Sequence, residues 1–135
     1  KSDIRRLNWR ILPPGRQPWE QIKSAVESVV RKAPKGNWPV IEYRIAEIHK
    51  YGPTFCAIGN GGVHGYVVFG FPERNLYVLE STQFDNATYV FAEHWEELSK
   101  RTKAEILTAG LHKDRIIHRG NWASRIRQLL ERPTA

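Results

Sequence analysis

The fold is decided by the stretch Tyr66-Val67-Val68-Phe69-Gly70-Phe71-Pro72-Glu73-Arg74-Asn75-Leu76-Tyr77-Val78-Leu79. Two runs of β-branched and aromatic residues flank a short connection containing Pro and Asn, which is the pattern of a β-hairpin. Neither run alternates apolar with polar residues. Tyr66 to Phe69 and Leu76 to Leu79 are apolar on both faces of a strand, which predicts central strands covered on both sides. Upstream, 54–58 reads as a strand and Gly59-Asn60-Gly61-Gly62 as a turn, because Asn and Gly tolerate positive φ. Downstream, 83–86 is a polar turn leading to a strand at 87–91. Connections this short join neighbouring antiparallel strands. The expectation is an α+β domain. It has an antiparallel meander of about four strands (54–58, 63–71, 75–81 and 87–91) packed against N-terminal and C-terminal helices.

The flanking segments carry helical signals. Trp19, Ile22, Val26, Val29 and Val30 recur on one face of a 3.6-residue period, predicting a helix over 18–32 with Pro18 in its first turn. In 39–50, Ile41, Tyr43 and Ile45 alternate as in a strand, while Ile41, Ile45 and Ile48 recur as in a helix. The punctuation decides for the helix: Asn37 and Pro39 suit its start, Gly52 and Pro53 its end. Trp95 and Leu98 mark a short helix at 93–99. Thr102-Lys103-Ala104-Glu105 is a capping box opening a further helix through Ile106 and Leu107. Ile116-Ile117 forms either a short edge strand or a packed loop. Asn121 is placed to cap a last helix with Trp122, Ile126, Leu129 and Leu130 on one face. Residues 1–17 have no period and read as an extended basic arm or a short helix before the Pro13-Pro14-Gly15 breaker.

A length of 135 residues fits a single domain, 1–135. The chain begins at Lys1 rather than Met, which reads as a domain of a larger protein. Its apolar runs fall far short of the roughly 18 residues a membrane helix needs, so no membrane is expected as a partner. Cys56 is the only cysteine, which excludes an internal disulfide and suits a reducing compartment, most simply the cytoplasm. No motif fixes an oligomeric state.

The net charge is +7, from 21 Lys and Arg against 14 Asp and Glu. It is uneven: +6 over residues 1–36, −3 over 37–95 and +4 over 96–135. Clustered positive charge is the electrostatic signature of a polyanion binder. The densest polar and aromatic cluster is Arg115-Ile116-Ile117-His118-Arg119-Gly120-Asn121-Trp122, where two arginines precede a helix start. At the other end Arg5, Arg6 and Arg10 are interleaved with Trp9, a combination that grips a backbone and stacks on a base. Gly59-Asn60-Gly61-Gly62-Val63-His64-Gly65 lacks the Lys of a phosphate loop and leads into a strand, so it holds no nucleotide. The histidines His49, His64, His94, His112 and His118 lack zinc spacing, with one another or with Cys56, and neither a metal nor a cofactor is expected.

Three functions are compatible with these residues. The first is a nucleic-acid-binding module, for DNA or RNA, holding phosphates through Arg5, Arg6, Arg10, Arg115, Arg119 and Arg125. The second is a metal-independent ribonuclease, which needs a base, an acid and a cation; His118, His94 and Glu80 supply the types. No motif matches the toxin ribonucleases of this helix-then-sheet shape. The third is a non-enzymatic protein-interaction domain whose basic ends dock an acidic partner. The first requires the two basic ends to converge on one surface.

Overall fold

A computed structural model describes residues 7–30, 38–61, 64–81, 87–102, 105 and 116–131. In chain order these contain β1 (Asn8–Ile11), α1 (Trp19–Val30), α2 (Trp38–His49), β2 (Phe55–Gly61), β3 (His64–Phe71), β4 (Leu76–Ser81), β5 (Ala87–Phe91), α3 (Trp95–Leu98), β6 (Ile116–His118) and α4 (Trp122–Leu130). Each strand pairs antiparallel with the next, so the sheet runs β1-β2-β3-β4-β5-β6. The class is α+β with an antiparallel meander. Two strands are added at the edges of the four expected: β1 lies within the expected arm, and Ile116-Ile117 belongs to a strand rather than a loop.

The central strands are buried on both faces. Val67, Val68, Val78 and Leu79 have no exposed surface. On one face, Val67, Phe69, Val78, Val90 and Ile117 pack against Ile22 and Val26 of α1, Ile41, Ile45 and Ile48 of α2, and Trp122, Ile126 and Leu130 of α4. On the other, Tyr66, Val68, Tyr77, Leu79 and Phe91 form a second core with Leu7 and Leu98, flanked by Trp9, Phe55, Tyr89 and Trp95. A sheet apolar on each side is thus covered on both, by α1, α2 and α4 on one face and by α3 and aromatic side chains on the other.

The helix over 39–50 is present as α2. It ends where Gly52 takes φ +75° and its N–H donates to the His49 carbonyl, while Tyr51 N–H donates to Ile48. The β3–β4 connection is a 3₁₀ turn at Pro72–Arg74 closed by left-handed Asn75 (φ 48°), whose N–H returns to the Pro72 carbonyl. The capping box is formed: Thr102 N–H donates to Glu105 at 2.7 Å and Glu105 N–H to Thr102 Oγ1 at 3.1 Å. The helix expected beyond it lies outside the described residues. Asn121 makes no side-chain cap, because a 3₁₀ turn at Arg119–Asn121 leads into α4. Instead its carbonyl accepts from Ser124 Oγ. The other end of α4 is held by Arg74, whose guanidinium donates to the carbonyls of Leu129 (2.8 Å) and Leu130 (3.3 Å).

The glycine-rich stretch is strand rather than turn through Gly61, which pairs with His64. The reason is steric. Gly59 pairs with Trp9, and a Cβ on Gly59 would stand 2.7 Å from the indole. Gly70 is alike: it pairs with Tyr77, and a Cβ would lie 2.5 Å from that ring and 2.9 Å from Phe55 Cβ. Each glycine lets an aromatic ring lie across the neighbouring strand. The Tyr77 ring is also packed edge-on against Phe55, at 5.7 Å, so it has little room to withdraw. Gly70→Ala is therefore expected to cost about 1–3 kcal/mol of stability by overpacking. Urea denaturation checks this, with an unchanged midpoint as the contrary result.

Candidate functional site

Glu80 continues the face of β4 that carries Leu76 and Val78, which points at the helices. At that depth a carboxylate needs partners. Arg44, one turn from Ile41 and Ile48 on the buried face of α2, places Nη1 3.3 Å from Glu80 Oε1. The hydroxyl of Thr88, directly across on β5, donates to Glu80 Oε2. Trp122, the first residue of α4, donates its indole N–H to the same hydroxyl at 2.7 Å. The Arg44 guanidinium also lies 5.8 Å from the Trp122 ring centroid. Exposure is 3% at Arg44, 5% at Trp122 and zero at Glu80 and Thr88, so no solvent substrate reaches the carboxylate. Burial pushes the Glu80 carboxyl up to about 7, against Arg44, Thr88 and Trp122, which pull it down.

Glu80 is a buried carboxylate joining β4, β5, α2 and α4. His94 is exposed and precedes α3, whose Trp95 and Leu98 pack on the opposite face of the sheet. The backbone of His118 pairs with Ala87 on β6. Glu80 and His94 therefore lie on opposite sides of the sheet.

The expected phosphate ligands are also separated. Arg10 is exposed on β1 and Arg125 on α4, while Arg119 opens the turn after β6. Arg5, Arg6 and Arg115 lie outside the described residues. β1 and β6 are opposite edges of the sheet, five strand spacings or about 24 Å apart. Between them, α1 and α2 present Glu20, Glu27, Glu42 and Glu47, two of which pair with the lysines there: Lys23–Glu42 at 3.2 Å and Lys50–Glu47 at 2.6 Å. Arg10 and Arg125 thus belong to two surfaces.

Beside α4 sits a residue the charge analysis missed. Tyr43 of α2 is 55% exposed, and its ring centroid is 5.9 Å from that of Trp122. Its position in the strand-like Ile41-Glu42-Tyr43-Arg44-Ile45 alternation disguised it as core. Counting a 3.6-residue period from Ile41 and Ile45 turns it outward. The first turn of α4 carries no acid, and Arg125 and Arg127 are exposed along it, with no ion pair among the described residues. Among the described residues no group of three or more His, Cys, Asp and Glu is placed to hold a metal ion, and no helix is long and apolar enough to cross a membrane. Comparison with protein-family models, curated proteins and solved structures finds no match to the chain.

Glu80→Ala leaves Arg44 buried without its counter-charge, and at pH 8 is expected to cost about 3–5 kcal/mol in urea denaturation. The wild-type pH dependence follows from the raised carboxyl. The folded chain holds this proton more tightly than the unfolded chain, whose carboxyl titrates near its ordinary 4.5. The stability from that proton is fully present below 4.5 and is lost as pH rises through about 7. Glu80→Gln removes this slope. Equal slopes in the two proteins would contradict the assignment.

Proposed function

We propose that this chain is a single-stranded nucleic-acid-binding module whose contact surface is the β6–α4 end of the domain alone; a surface shared by both basic ends, which the sequence reading required, is given up because β1 and β6 are opposite edges of the sheet. The observation that supports it is the pairing of an exposed ring with an acid-free basic helix. Tyr43 lies against Trp122 at the start of α4, which displays Arg125. An aromatic face beside cations is what a flexible strand needs, since bases stack on the ring while phosphates meet the arginines. Residues 112–128 add Lys113, Arg115, Arg119 and Arg127 against one acid, Asp114. Whether the strand is DNA or RNA is an outcome of the test, because stacking and phosphate contact serve both. We place the domain in a reducing compartment, most simply the cytoplasm. Its single Cys56 is buried, and burial pushes the thiol up to about 12, so it neither ionises nor couples readily.

Anisotropy titrations of labelled DNA and RNA oligonucleotides test the reading. Tyr43→Ala is expected to cost about 1–3 kcal/mol of affinity with the salt slope unchanged. Arg125→Ala is expected to lower the slope of log K against log salt by about 0.7, one single-strand phosphate contact. Arg10→Ala, on the far edge, leaves both unchanged. RNA incubated with the domain in EDTA stays intact. Absence of binding at low ionic strength would remove the proposal.

A further inference from the structure

The far edge of the sheet offers a second surface of a different kind. β1 pairs only with β2 among the described residues. Its register is Asn8↔Asn60, Trp9↔Gly59, Arg10↔Ile58 and Ile11↔Ala57. Leu12 N–H donates to Cys56 at 3.0 Å, continuing the same register by one pair. In an antiparallel ladder the residues that bond to the partner alternate with those that do not. Leu12, Arg10 and Asn8 therefore turn their backbone groups to β2, and Trp9 and Ile11 turn theirs outward. The outer edge presents two N–H donors and two carbonyl acceptors.

The side chains at this edge are sorted by face. Arg10 stands on the helix side, above a groove of about 690 Å³ between β1 and α1, lined by Leu12, Pro13, Gln21, Ser24 and Ser28 among others, with Glu20 at its wall. Ile11 stands on the other side and is 53% exposed. Residues 4–19 contain four arginines, Arg5, Arg6, Arg10 and Arg16, and no acid.

We infer that β1 accepts an acidic extended peptide as an added strand. Its acidic side chains would meet Arg10 over the groove, and its apolar side chains would cover Ile11. Peptide backbone is the complement of the free ladder groups, which a nucleic acid does not provide. A second copy of β1 paired antiparallel would bring Arg10 against its own counterpart, and like charges across a pair are destabilising. A cation at an edge strand suppresses indiscriminate pairing while admitting a partner of opposite sign. This surface is independent of the Tyr43–Arg125 one and survives failure of that proposal.

The test uses the whole chain and a labelled peptide of alternating Glu and Val. Saturable binding is expected, weakened about tenfold or more by Arg10→Glu. Ile11→Pro removes an outward N–H without touching the β1–β2 ladder and should weaken binding comparably. Should Ile11→Pro fail to fold, two N-methylated peptides decide on the wild-type protein. Methylation of the residues facing β1 abolishes binding, and methylation of the alternate residues spares it. Equal binding of both isomers, equal binding of polyglutamate, displacement of the peptide by an oligonucleotide, or dimerisation through β1 without peptide would each overturn the inference.

Discussion

One buried carboxylate organises the helix side of this domain. Glu80 has no exposed surface, yet sits among aliphatic side chains. Placing a carboxyl there is costly unless every oxygen is met. Arg44 meets one oxygen and Thr88 the other, and Trp122 bonds the Thr88 hydroxyl from above. The three partners come from α2, β5 and α4, elements that apolar packing alone would leave freer to slide. A hydrophobic stripe tolerates small shifts, whereas a hydrogen-bonded network in a low-dielectric interior tolerates few. Arg74 holds the last carbonyls of α4 as Trp122 holds its first turn, so this helix is fixed at both ends.

That fixation has consequences for function. Tyr43 is one residue before Arg44, so the network that buries the arginine also sets the exposed ring beside Trp122. The proposed stacking surface is thus carried by a rigid part of the fold. The meander topology supplies the other constraint. Because the strands follow chain order across the sheet, the two basic chain ends are carried to opposite edges. Among the described residues, Arg10 stands at one edge and Arg125 and Arg127 near the other, with the glutamates of α1 and α2 between them. Each margin has its own local chemistry: an aromatic and a helix at one, free backbone and a groove at the other.

The central hairpin was legible because strands apolar on both faces have few other homes. So was α2, where Pro39 and Gly52 outweighed the alternation of Ile41, Tyr43 and Ile45. β1 was not, because the alternation of Asn8-Trp9-Arg10-Ile11 lasts only four residues and ends at the Pro13-Pro14-Gly15 breaker. It is a strand because Trp9 lies across Gly59, a contact between residues fifty positions apart. The same contact explains why Gly59 reads as a turn locally and is a strand in the fold. β6 is three residues long and is likewise fixed by its partner. The burial of Glu80 was not legible for a related reason: a carboxylate at a strand end looks solvent-facing until its parity with Leu76 and Val78 is matched to a cation on a neighbouring helix. Arg44, between Ile41 and Ile48 on an apolar face, was the available signal.

The central claim is that the Glu80 network, and not apolar packing alone, seats α4 on the sheet. Amide hydrogen exchange on Thr88→Val tests it most directly, since the substitution keeps the side-chain shape and deletes the hydroxyl joining Trp122 to Glu80. The account predicts that protection falls across α4 while the amides of β3 and β4 stay protected. Unchanged protection in α4 would contradict it.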